Sequence, residues 1–310
     1  MKNRFNLLIV LLLSLFYACE TEIDVALPEY KEGVVVEGFI ELGEYAEVSL
    51  YKTLPYLADI QLDNLLEQVI IQDALVIIKN GGGQTDTLHL VQSDEAPLYW
   101  FYQGSVLKGE VNTQYELQIE WKGQKYVATT SILQPFQLDT LRIDPMEGFN
   151  NDSIGRVYVT WKDDPTVRNY SFFRQKFAND LYCDRTWITS MPMALDDVTF
   201  PSSDMNLYLY RFGTSPWFKP LNIPEAEGWE YFRPVCQYGD TIYVRASAID
   251  EASYQFLNSV TIPLYFGDNP LGYPPLIHSN IKSLTGDPCF GSWIGTASTE
   301  YKIIFDRLLR

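Results

Sequence analysis

Basic residues are scarce in this chain. Lysine and arginine number 23 against 40 acids, for a formal charge of −17. Without Lys2 and Arg4 the balance is 21 basic to 40 acidic, about −19 by the same count. Such a surface repels nucleic acid and anionic lipid, and no basic patch with interleaved aromatics argues otherwise. There are only two histidines, His89 and His278. No nucleophile-elbow motif, zinc-binding helix or phosphate loop accompanies them. Gly81-Gly82-Gly83 precedes a strand pattern rather than a helix, so it reads as a hairpin turn. Cysteine is also sparse. Cys183, Cys236 and Cys289 lie far apart, which excludes a zinc knuckle but leaves a disulfide open between two of the three. No catalytic centre, metal site or cofactor is expected.

Long apolar runs are absent except near the start. Leu7 to Phe16 follows Lys2 and Arg4 and leads into Tyr17-Ala18-Cys19, with Glu20, Glu22 and Asp24 beyond. A spanning helix needs about 20 apolar residues, whereas this run has the length of a signal core. The order predicts a lipoprotein signal peptide over 1–18, Cys19 as the lipid anchor and an acidic tether over 19–32.

What the chain does have is strand chemistry. β-branched or alternating runs recur at 34–40, 46–52, 74–79, 85–91, 98–102, 115–121 and 125–132, with turn residues between them. Lys122-Gly123 marks a hairpin. Seven such runs predict one β-sandwich over 33–134. A second unit over 135–310 begins with runs at 138–143, 157–161 and 170–177, where Trp161 faces inward. An alternating strand follows at 240–248, then a short helix over 250–258, capped by Asp250 with Tyr254 and Leu257 inside. The tail 290–305 closes the sheet. The predicted class is therefore all-β, with two consecutive immunoglobulin- or fibronectin-III-like sandwiches.

Residues 178–235 are too long for a sandwich loop and read as an aromatic-rich insertion, with only 205–212 as a clear strand. Trp187, Trp217, Phe218, Trp229 and Tyr231 are its candidate contacts for a ligand or partner. The competing expectation is that these rings cover open sheet edges.

The order Cys19, Glu22-Ile23-Asp24, Leu27-Pro28 and Val34 to Ile40, followed by Leu54-Pro55-Tyr56, Asp73 to Val76, Gly239-Asp240-Thr241 and Ser279-Asn280-Ile281, resembles a known family. It is similar to the Bacteroidota lipoproteins catalogued as domain-of-unknown-function family forty-two forty-nine. The resemblance implies an outer-membrane, cell-surface lipoprotein that works beside a TonB-dependent β-barrel transporter. The expected function is a non-catalytic binding or accessory subunit. A stand-alone glycan- or peptide-binding lipoprotein is the alternative, and an envelope hydrolase ranks third.

Overall fold

The fold is described from a computed structural model. It describes residues 30–55, 68–93, 99–145, 154–164, 166–178, 188–197, 203–211, 236–266 and 276–306. Among them the all-β expectation holds: sixteen strands accompany one long helix. The first set is β1 (Val34–Glu41), β2 (Tyr45–Lys52), β3 (Leu75–Asn80), β4 (Thr85–Gln92), β5 (Trp100–Lys108), β6 (Thr113–Trp121) and β7 (Gln124–Ile132). The second is β8 (Leu138–Pro145), β9 (Ile154–Lys162), β10 (Tyr170–Phe177), β11 (Ile188–Asp196), β12 (Asp204–Arg211), β13 (Cys236–Gln237) and β14 (Thr241–Ala248). Helix α1 (Glu251–Phe266), β15 (Lys282–Ser283) and β16 (Cys289–Ile304) complete the chain.

One connection pattern runs twice. Hydrogen-bonded neighbours follow β1-β2-β5-β4-β3-β6-β7 in the first set and β8-β9-β12-β11-β10-β14-β16 in the second. Leaving out the two-residue strands, both orders read 1-2-5-4-3-6-7. The sets meet at β16. Its first half, Cys289 to Thr296, pairs in parallel with β1, and its second half, Ala297 to Ile304, pairs antiparallel with β14.

Local chemistry explains the elements. Lys122 and Gly123 both have positive φ between the paired Trp121 and Gln124, the two-residue turn whose twist suits a hairpin. At Gly291, φ is +106° and a Cβ would lie 1.9 Å from the Val36 carbonyl oxygen, so the β1–β16 ladder needs glycine there. The helix begins where Asp250 Oδ1 accepts from the Ser253 amide at 2.8 Å. It runs well past the expected end at residue 258.

The stretch 178–235 contributes β11 and β12 to the sheet, so the expectation of a single strand there is corrected for β11. Pro192 has no N–H to give to a ladder. It falls where the β10–β11 register shifts, a bulge at which a missing N–H is tolerated.

Alternating residues build the cores. Trp121, Trp293, Tyr115 and Leu117 fill the first. Trp161, Phe173, Phe177 and Phe305 fill the second. Tyr170, Phe172, Ile249 and Ile294 lie with Leu257 and Tyr254 of α1 in a third. Burying one such side chain contributes roughly 1.5–3 kcal/mol.

Three polar devices brace this frame. Tyr115, near the start of β6, donates from its hydroxyl to the Lys108 carbonyl at 3.1 Å and accepts from the Glu110 amide at 2.9 Å. Buried Asp86 accepts at Oδ2 from the amides of Ser105, Val106 and Leu107 at 2.9, 2.7 and 2.9 Å. Glu41, at the end of β1, accepts from Arg174 of β10, Arg245 of β14 and Ser298 of β16.

Candidate binding surfaces

The predicted anchor Cys19 and the predicted contacts Trp187, Trp217, Phe218, Trp229 and Tyr231 lie outside the described residues, as does Cys183. Cys236 and Cys289 are free thiols in different surroundings. Cys236 is packed in the second core, and its Sγ lies 3.2 Å from the Gly155 carbonyl oxygen. Cys289 packs against the first core, its Sγ 3.4 Å from the Ile281 carbonyl oxygen. Burial pushes the Cys236 thiol up to about 12, so it is not a thiolate at neutral pH.

Among the described residues, no group of three or more His, Cys, Asp or Glu could hold a metal ion. His89 and His278 are exposed. No described helix is long and apolar enough to cross a membrane.

Two surfaces of the first strand set carry chemistry. One is a groove of about 360 Å³ on the outer face of β3, β6 and β7. Cross-strand register places Leu75, Glu120 and Lys125 in one row, and Ile77, Gln118 and Val127 in the next. β6 presents its polar residues outward here, as its alternation demands. Leu75 does not follow that rule: it is 49% exposed in the groove. Leu284 lines the far end and is 67% exposed. Its amide donates to the Lys125 carbonyl at 2.8 Å, which holds it against the β7 edge. Lys125 and Glu120 form an exposed pair at 3.4 Å. Two solvent-facing leucines beside a charged row form the kind of site that suits a protein or peptide partner.

The other surface is the outer face of β1, β2 and β5. Glu37 lies opposite Ser49, Phe39 opposite Glu47, and Glu47 opposite Gln103. Tyr99 stacks on Phe101 with centroids 5.4 Å apart and planes at 29°. The buried Ser49 hydroxyl donates to the Tyr99 hydroxyl at 3.1 Å, and Gln103 Nε2 donates to Glu47 Oε1 at 3.3 Å. Glu37 and Glu47 reach solvent, yet loss of hydration holds both above the usual carboxylate range. For Glu47 the negative charges of Glu44 and Glu41 act in the same direction. Burial, then Glu37, Tyr51 and Glu47, pushes Tyr99 up to about 12.

Neither surface was evident from sequence. Leu75 sits in an apolar run that reads as core. Glu37, Glu47 and Tyr99 are brought together only by strand pairing.

The chain belongs to the family described as Domain of unknown function (DUF4249), which matches residues 20–291. No curated protein matches it.

Proposed function

We propose that this chain is a non-catalytic lipoprotein of the outer membrane, held by Cys19, that serves as a binding or accessory subunit of a TonB-dependent transporter. The observation that carries the binding role is the groove with Leu75 and Leu284 open to solvent. The leader pattern and the family resemblance support the address and the transporter.

We read the architecture behind it as two fibronectin-III-like sandwiches. The strand order 1-2-5-4-3-6-7, present twice, supports this reading, in which strands 1, 2, 5 face strands 4, 3, 6, 7 and the pairing of strand 4 with strand 5 joins the two faces at one edge. Tyr115 makes the return hydrogen bonds of a tyrosine corner in the sixth strand of the first set. The tether over 19–32 precedes the sandwiches, which divide near residue 134. The first half of β16 joins the earlier unit.

Affinity purification of the native protein from membranes tests the function. The expected result is a stoichiometric β-barrel partner, lost when Leu75→Asp and Leu284→Asp are combined. A clean monomer in both cases would refute the accessory role. For the anchor, Cys19→Ala should abolish palmitate labelling and membrane fractionation.

A stand-alone glycan- or peptide-binding lipoprotein is the second reading. The stacked Tyr99–Phe101 pair beside two carboxylates favours it, because rings with neighbouring acceptors suit direct ligand capture.

A further inference from the structure

We propose that the outer face of β1, β2 and β5 is a docking surface for a cationic segment of a partner protein, with Glu37, Glu47 and Tyr99 as its recognition groups. This rests on the reading of the chain as a binding protein, but not on the groove.

Charge complementarity selects the occupant. Glu37 and Glu47 are exposed on one face of adjacent strands, and neither is in an ion pair among the described residues. The cations further along this sheet, Arg174 and Arg245, are engaged by Glu41 and Glu300. Two exposed carboxylates on neighbouring strands therefore stand without a counter-charge among the described residues. A guanidinium or ammonium group arriving there replaces lost hydration with charge-assisted hydrogen bonds.

The ring pair supplies the second component. Tyr99 is 38% exposed, and its position is set by the Ser49 hydrogen bond behind it and the Phe101 ring beside it. A cation between an aromatic face and carboxylates gains from both. Arginine suits this best, because its planar fork can stack on a ring while it donates in plane. A neutral sugar would find the ring and the acceptors but would gain nothing from the unpaired charge.

The probe is a labelled peptide alternating arginine with serine, and the control replaces each arginine with glutamine. Binding to the purified chain is read by fluorescence polarisation. Because the whole chain is acidic, a charge-matched control variant is needed. Glu37→Gln with Glu47→Gln should weaken arginine-peptide binding about tenfold, the scale of two charge-assisted contacts. Asp139→Asn with Asp306→Asn, an equal charge change at exposed positions of the second strand set and outside the groove, should weaken it less than about twofold after screening at physiological salt. Tyr99→Ala should weaken it about threefold, the scale of one cation–π contact. All these sites are solvent-facing, and cooperative unfolding checks that each variant folds.

Equal weakening by the two charge-removing double variants would reduce the effect to general attraction by an acidic chain and overturn the proposal. So would binding of the glutamine peptide as tightly as the arginine one, or displacement of the probe by a neutral oligosaccharide. None of these outcomes bears on barrel co-purification through Leu75 and Leu284. That result fails or stands separately.

Discussion

Replacing Glu41 by glutamine should cost the fold about 2–3 kcal/mol. Glu41 Oε1 and Oε2 lie 3.3 and 3.4 Å from Arg174, and Oε2 lies 3.2 Å from Arg245. The Ser298 hydroxyl donates to Oε1 at 2.7 Å. Burial pulls the Arg174 guanidinium below its ordinary value; Glu41 opposes that shift, and Arg245 adds to it. Without the carboxylate, Arg174 keeps its desolvation and faces a like charge. Breaking a fully buried pair costs roughly 3–5 kcal/mol. Here the Arg174, Glu41 and Arg245 side chains are 13, 23 and 25% exposed, which lowers the figure. With a urea m-value of roughly 2–3 kcal/mol/M, the midpoint should fall by about 1 M. Adding Arg174→Met removes the stranded charge and should restore more than half of the loss. A single-variant loss below about 0.5 kcal/mol, the scale of a surface pair, would refute the reasoning. So would a double variant no more stable than the single.

Two further predictions concern stability. Asp86 is 2% exposed and serves three backbone amides, so Asp86→Ala should lower stability by about 3 kcal/mol or more, and Asp86→Asn by distinctly less. Equal melting temperatures for the two variants would count against the three-amide account. The second is alkaline unfolding. Burial pushes buried Tyr126 and Tyr170 up to about 12, and nearby acids add to the effect. The folded chain holds these protons more tightly than the unfolded chain, whose tyrosines titrate near 10. Each therefore contributes about 2–3 kcal/mol that is fully present below about pH 10 and lost as pH rises through about 12. Tyrosinate absorbance for these two should appear only with unfolding; ionisation near pH 10 in an intact fold would contradict it.

Strand positions were legible because side-chain alternation is a local signal. β1, β2, β6, β7 and β10 lie where their apolar patterns put them, and Lys122-Gly123 and Asp250 announced a turn and a cap. β11 was hidden because Pro192 breaks the local strand pattern, while a bulge in the paired strands accommodates it. The shared pairing of β16 left no local trace, since parallel partners 255 positions apart impose no periodicity of their own. Sequence separation also concealed Glu41, which meets Arg174 and Arg245 across 133 and 204 positions. Surfaces are harder still. An outward leucine such as Leu75 differs from a core leucine only in which face its strand presents, and pairing decides that.

The handover within β16 has a mechanical consequence. Compact units joined by a linker move relative to one another by default. Here Thr296 is paired with Glu41 and the next residue, Ala297, with Ala248, so no unpaired residue separates the two ladders. A hinge at that point would break strand hydrogen bonds rather than rotate a free linker. Two further ties cross the same junction. Asp250, at the start of α1, accepts from Thr130 and Ser131 of β7 at 2.7 and 3.0 Å, and Glu41 binds the two arginines of β10 and β14. The groove and the acidic face are consequently held in fixed relation to the second strand set. A partner that contacts both sets meets a pre-organised surface, and the ordering cost that would otherwise weaken its binding is already met by the fold.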